Sequence, residues 1–256
     1  MITSVNNPSV KNIIALRKKG KLRREQDVFL VEGPKMAAEI PEGYLKELYI
    51  SEDFDREQYH SLLKGKNYEL VSERVFREMS DTQTPQGVLA VVRQRHSTLE
   101  GLLGVPKSHI LILEDVQDPG NLGTMLRTGE GAGVTGVILS KGCVDLYNPK
   151  VIRSTMGSIY RVPFVYTEDL HKTIQRIKER CKIYAAHLQG TCNYDRADYA
   201  DSTAILIGNE SRGLTKETTE MADVWVKIPM QGKVESLNAA IAASLLMYEV
   251  YRQRRM

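Results

Sequence analysis

Cysteine is scarce. Cys143, Cys181 and Cys192 are the only three in 256 residues; they are far apart and form no C-x-x-C pair. That argues against a disulfide framework or a structural zinc site and for a reducing compartment. Long apolar runs are missing as well. The opening MITSVNNPSVKN lacks the apolar core of a signal peptide, and no later run is long enough to span a bilayer. The expectation is a cytoplasmic protein with no membrane partner. No G-x-x-x-x-G-K-[ST] occurs, which removes a P-loop. No H-E-x-x-H occurs either, and the five histidines are scattered, so no metal site is expected. Internal repeats and low-complexity tracts are also absent.

What remains is an ordinary globular composition, 42% hydrophobic and 26% charged, in a chain long enough for one large domain or two modest ones. The net charge is a mild +3, but its basic residues are uneven. Arg17, Lys18, Lys19, Lys21, Arg23 and Arg24 crowd into RKKGKLRR, and Arg252, Arg254 and Arg255 lie at the other end. Such clusters attract phosphates and give sequence-independent affinity for nucleic acid, although a solvated helix face has the same composition. No aromatic residues of the stacking type interleave the run.

The hydrophobic pattern divides the chain. VFLVEG, LKELYIS, YELVS and GVLAVVRQ read as strands among helical stretches, the first of which opens at Pro34. They outline a small α/β domain over residues 1–95. RQRHSTLEGLLGVPKS, over about 96–107, reads as a linker. From Ser108 to the end, over 108–256, the alternation restarts. HILILED has the unbroken apolar run of a buried parallel strand, Asp118, Pro119 and Asn121 form a turn and cap, and Leu122, Met125 and Leu126 follow at helical spacing. GVILS, KIYAAHL, TAILIGN and DVWVKIP are further strands, and SLNAAIAASLLMYEVYRQ is a closing helix without a breaker.

Gly131–Gly136, GAGVTG, satisfies G-x-G-x-x-G, the phosphate fingerprint of dinucleotide-binding folds. That fingerprint works only after a strand and before a helix, where helix N-terminal amides meet the pyrophosphate. Here it follows a helix and precedes a strand. These are helix-terminating glycines, and a nicotinamide or flavin oxidoreductase falls away.

Three clusters, VQDPGNLGTMLRTGEGAG, LIGNESRGLTKE and IPMQGKVESLNAAIAASLLMYE, each follow a strand. In open α/β sheets, ligands bind beyond the carboxyl ends of strands, where three such loops can converge. Together they offer a guanidinium (Arg127), a carboxylate (Glu210), and a hydroxyl and an amide at one helix start (Ser236, Asn238). Singly, each has a bland reading: exposed helix residue, solvated turn, N-cap. In this order they resemble the SpoU (TrmH) type of RNA 2′-O-ribose methyltransferase, in the SPOUT superfamily. The resemblance covers a first motif from Asn121 to Arg127, a second from Gly208 to Leu214 and a third from Pro229 to Ala240, in which Lys233 and Glu235 occupy variable positions. DLYNPKVIRSTMGSIYRVPF, carrying Arg153, Ser154 and Gly157, is similar to the segment between the first two. The N-terminal part, with NPSVK and FLVEGPKM, resembles the RNA-binding domain often fused to these enzymes, similar to an α/β fold of ribosomal proteins.

The resemblance implies a parallel-sheet SPOUT domain with a deep trefoil knot, preceded by that small α/β RNA-binding domain. It implies S-adenosylmethionine as methyl donor, held mainly by backbone of the loops at Leu188, Gly208, Asn209, Ile228, Met230 and Leu237. It makes Arg127 the central catalytic residue, with Glu210, Asn121, Ser236 and Asn238 around it. A guanidinium essentially never deprotonates in proteins, so an electrostatic role for Arg127 on the incipient alkoxide is preferred to that of a base. Glu210 would orient a guanidinium or an RNA group, Asn121 would position the arginine, and Ser236 and Asn238 would fix loop and nucleotide. Arg17, Lys18, Lys19, Lys21, Arg23, Arg24 and Arg153 would meet RNA. The family is dimeric, and the closing helix, apolar nearly all round, fits a homodimer contact. The ribosomal-type domain points to large-subunit rRNA over tRNA. The alternatives are a tRNA 2′-O-methyltransferase and a non-catalytic RNA-binding or ribosome-assembly protein on the same scaffold.

Overall fold

The structure is a computed structural model describing residues 1–255, and it divides into two compact units. The first comprises residues 1–95 and 145–160, the second 96–144 and the described residues from Arg161 to Arg255.

In the first unit, α1 (Pro8–Lys18) starts where the Asn7 side chain accepts from the backbone N–H of Ser9 and Pro8 pre-sets the first turn. The extended residue Lys19 separates it from α2 (Gly20–Gln26). There follow β1 (Val28–Glu32), α3 (Pro34–Ala38), β2 (Leu45–Ser51), α4 (His60–Leu63), β3 (Glu69–Val71), α5 (Glu73–Met79) and β4 (Val88–Arg93). The sheet runs β1-β4-β2-β3, antiparallel except for β2 with β3. Val10, Ile13 and Leu16, at helical spacing on α1, are buried with Leu30, Phe76, Met79 and Leu89 in one core.

The second unit contains α6 (Leu99–Leu103), β5 (His109–Leu113), α7 (Pro119–Gly131) and β6 (Gly136–Ser140). α8 (Pro149–Thr155), which packs on β1, belongs to the first unit. The second unit continues with β7 (Phe164–Thr167), α9 (Leu170–Lys178), β8 (Lys182–Ala186), β9 (Cys192–Asn193), β10 (Thr203–Ile207), α10 (Lys216–Glu220), β11 (Val224–Lys227) and α11 (Ala239–Arg254). Its sheet is parallel throughout, in the order β7-β6-β5-β10-β8-β11-β9. HILIL, GVILS and TAILI are buried at every residue, as strands covered on both faces must be. His109 is part of that core; burial and the nearby Arg254 push its pKa down to about 3, so it is neutral there.

β10 lies between β5 and β8, so spatial order departs from chain order in the middle of the sheet. Because all strands point the same way, the loops after β5, β8, β10 and β11 emerge along one edge. This is where such sheets bind ligands. The GAGVTG segment lies elsewhere: Gly131 ends α7, Gly133 takes the left-handed φ of +72°, and Gly136 opens β6. No helix N-terminus follows those glycines.

Candidate functional site

Each loop at that edge is shaped by its own residues. After β5, Asp118 caps α7 by accepting from the Asn121 backbone N–H at 2.8 Å. After β10, the Asn209 side-chain oxygen accepts from Ser211 N and Arg212 N, while its amide donates to the Asp115 carbonyl at 2.8 Å. Asn209 and Gly213 exchange backbone hydrogen bonds across the turn. Gly208 is required by this closure, since a Cβ there would lie 2.1 Å from the Gly213 carbonyl carbon.

Glu210 projects from that turn to the start of α7. Its carboxylate accepts from the backbone N–H groups of Gln117 (3.1 Å) and Asp118 (3.0 Å) and from the Asn121 side-chain amide (3.1 Å). Burial alone raises the pKa of this carboxyl, but the hydrogen bonds from Asn121, Asp118 and Gln117 outweigh it, and the net displacement is downward from 4.5. The Asn121 side-chain oxygen accepts from the Asn238 amide at 2.9 Å. Asn238 in turn caps α11 through Ala240 N and Ile241 N. The three polar residues of the three sequence clusters are thus one hydrogen-bonded chain. Its carboxylate holds helix α7 rather than a guanidinium.

Beside this chain lies a cavity of about 430 Å³. All six residues expected at a cofactor, Leu188, Gly208, Asn209, Ile228, Met230 and Leu237, line it, as do Glu210 and Ser236. The walls combine apolar side chains with bare backbone at Gly208 and Gly213, which fits a ligand with an aromatic base and a sulfonium-bearing chain. Arg127 stands exposed on α7, and its guanidinium makes no hydrogen bond or ion pair with any other described residue. The cavity also takes in His187, Gln189, Arg212 and Lys227, which sequence reasoning did not single out. Their position at the carboxyl ends of β8 and β11 and in the turn after β10 was the available signal. Asp115, whose φ of +54° is left-handed and whose carboxylate accepts from the Ser140 hydroxyl at 2.7 Å, gave none.

Two expectations need correction. Ser236 does not sit at a helix start: Asn238 caps α11, which begins at Ala239, and leaves Ser236 exposed in the preceding loop. Arg23 is not available to RNA. It is 3% exposed, its guanidinium pairs with Asp145 at 2.5 Å, and it also donates to the Leu16 carbonyl. Of the other basic residues, Arg17 donates to the carbonyls of Glu78 and Ser80, and Arg153 pairs with Asp81 at 2.7 Å. Lys18, Lys19, Lys21 and Arg24 are exposed. Among the described residues no helix is long and apolar enough to cross a membrane. No group of three or more His, Cys, Asp or Glu side chains there could hold a metal.

A parallel sheet with a ligand cavity at its carboxyl edge, and the hydrogen-bonded chain Glu210–Asn121–Asn238 beside it, defines an α/β ligand-binding class. Residues 108–248 match the SpoU rRNA Methylase family and residues 7–90 the MRM3-like substrate binding domain. The chain is 35% identical to the 23S rRNA (guanosine(2553)-2′-O)-methyltransferase RlmP of Bacillus subtilis, over 97% of its own length and 98% of the relative's. It superposes on the AdoMet-bound rRNA methyltransferase of Sinorhizobium meliloti with a TM-score of 0.86 at 33% identity, covering 98% and 97% of the two chains. The SpoU methyltransferase AviRb of Streptomyces viridochromogenes, in complex with AdoMet, gives a TM-score of 0.87 at 26% identity, covering 98% and 99%. The chain belongs to the SpoU rRNA methylase family. It is an S-adenosylmethionine-dependent RNA 2′-O-methyltransferase.

Proposed function

We propose that the protein methylates a ribose 2′-hydroxyl of large-subunit rRNA in the cytoplasm, as a homodimer. Residues 1–95 together with 145–160 serve as the RNA-binding domain and the second unit as the methyltransferase domain; 96–107, expected as a linker, instead carries α6, whose Leu102 and Leu103 are buried in the second unit's core. The observation that carries the reading is the meeting of Asn121, Glu210 and Asn238 in one hydrogen-bonded chain, beside a cavity lined by Leu188, Gly208, Asn209, Ile228, Met230 and Leu237. The B. subtilis relative, named for 23S rRNA, supports the large subunit. Ile241, Leu245 and Tyr248, an exposed apolar stripe at helical spacing on α11, support the dimer. The position of β10 between β5 and β8 is compatible with the knotted chain path of the family.

When bound, S-adenosylmethionine supplies a methyl group on a sulfonium, already an activated electrophile. The protein's remaining tasks are alignment, loss of the hydroxyl proton and stabilisation of the forming alkoxide. Arg127, exposed and unpaired, supplies a positive charge for that oxygen or for the adjacent phosphate. Glu210 does not touch the nucleophile; it fixes the first turn of α7, the helix that carries Arg127. Asn238 ties the same turn to the start of α11, and Ser236 and Leu237 close the wall before it. Lys18, Lys19, Lys21 and Arg24 hold RNA phosphates.

Comparison of ribose 2′-O-methyls in total RNA from cells with and without the gene tests the proposal. The expected result is the loss of one site in large-subunit rRNA. Loss only in tRNA, or no loss in any RNA, overturns it.

A further inference from the structure

The first unit holds a groove of about 570 Å³ that the methyl-transfer site does not use. Phe54 and Tyr59 form one part of its lining, with ring centroids 4.9 Å apart and planes inclined by 25°. Both rings are only half-buried. The loop before β4 lies against this pair: Gly87 has a φ of +75°, and a Cβ there would come within 3.0 Å of the Phe54 ring. The stack is held in place by backbone, and a partly exposed aromatic stack in a groove is a platform for an unstacked base.

The charge in the groove decides which part of a nucleic acid fits. Asp53, Asp55 and Glu73 line it against one cation, Arg77, which is itself paired with Glu73. A phosphate would be repelled there. Asp55 is tied to the turn that leads to Tyr59 by two hydrogen bonds, both accepted at Oδ1 from the N–H groups of Glu57 and Gln58. Asp53 is exposed and accepts from the Ser51 hydroxyl through Oδ1, which leaves its carboxylate acceptor capacity toward a ligand. Guanine presents two adjacent N–H donors on its Watson–Crick edge, the complement of a carboxylate, whereas the same edge of uracil presents a single N–H between two carbonyls.

We propose that this groove takes an unstacked guanine of the RNA substrate, stacked on the Phe54–Tyr59 pair and read on its Watson–Crick edge by Asp53. The proposal rests on the reading of the protein as an rRNA methyltransferase and adds a base-reading site remote in sequence from the methyl-transfer motifs.

The test uses the full-length protein and fluorescein-labelled single-stranded uridine oligomers of about twelve nucleotides, within the usual span of such sites. One is uniform, one carries a central guanosine and one a central adenosine. Anisotropy should show the guanosine oligomer bound most tightly. Tyr59→Ala should weaken that oligomer roughly fivefold or more, the loss expected for one stacked base, and leave the uniform oligomer unchanged. Asp53→Asn, an exposed change that keeps the shape, should remove the preference for guanosine over adenosine. Equal affinities for all three oligomers overturn the proposal, as do variants that weaken all three alike. So does competition of a lysine-rich peptide for the groove with no effect of the variants on RNA, which would make the acidic rim a protein-docking site. Methyl transfer from labelled S-adenosylmethionine to rRNA of cells lacking the gene is read in parallel. Transfer without guanosine preference removes the groove proposal alone, and guanosine preference without transfer removes the functional reading alone.

Discussion

Asn121 and Asn238, 117 residues apart in the chain, meet through a 2.9 Å hydrogen bond in which the Asn238 amide donates to the Asn121 side-chain oxygen. The direction is set at both ends. Asn238 spends its oxygen capping α11, and Asn121 must turn its amide toward the acceptor-only carboxylate of Glu210. Asn121→Asp therefore replaces a donor with a second carboxylate next to Glu210. This should cost about 1–3 kcal/mol of stability, the range for an uncompensated polar group. Asn121→Ala should cost less, because it adds no repulsion. Urea unfolding midpoints compare the two; an aspartate variant as stable as wild type would show that the chain of contacts does not hold the loops together.

Glu210 adds a pH signature. Its folded pKa lies below 4.5, because the hydrogen bonds from Asn121 and the start of α7 overcome the upward push of burial. A carboxyl lowered in the folded state contributes its full stability above the unfolded pKa and loses it as pH falls through the folded pKa. Glu210→Gln should thus be less stable than wild type at neutral pH, and the gap should close on acidification to about pH 3. A gap that stayed constant with pH would contradict the ionic character of this anchor.

Arg127 separates chemistry from binding. Arg127→Ala should lower single-turnover methyl transfer ~10²–10³-fold, the usual cost of losing one electrostatic stabiliser of a developing oxyanion. S-adenosylmethionine affinity should hold, because the cavity is lined by other loops. Arg127→Lys keeps the charge and loses the planar fork, so little rescue would indicate that the guanidinium shape matters. Near wild-type rates for the alanine variant, with enzyme saturated, would move the role elsewhere.

The basic run should split into two behaviours. Arg23→Ala strands Asp145 beside a buried site and should destabilise the protein by about 3 kcal/mol, a change visible in thermal unfolding. Neutralising Lys18, Lys19, Lys21 and Arg24 together should leave stability near wild type. It should also weaken RNA binding and flatten its salt dependence, because fewer counterions are released. An unchanged salt slope would reduce the four to a solvated surface.

The stripe on α11 should mark the subunit contact. Leu245→Glu together with Ile241→Glu places charge on side chains that are 37% and 51% exposed in the single chain, so folding should survive and association should not. Light scattering should then fall from twice 28.9 kDa to 28.9 kDa. A wild-type protein that already runs at 28.9 kDa at micromolar concentration removes the dimer from the proposal.

The sequence by itself determined the elements whose cause is local. Unbroken apolar runs specified the buried parallel strands, Asp118 and Pro119 specified the start of α7, and the order of three motifs specified the family. The family resemblance, carried over by position, named the cavity wall from Leu188 to Leu237, and loops after parallel strands emerge at that one edge. Tertiary structure alone decided the partners. RKKGKLRR reads as one solvated basic patch until Arg23 meets Asp145, 122 residues away, and is drawn into the core. Glu210 reads as an orienter of a guanidinium until the folded sheet sets it against three N–H donors at the start of α7. Side-chain chemistry announces what a group can bind. Which long-range neighbour satisfies it depends on the packing of segments that the chain itself keeps far apart.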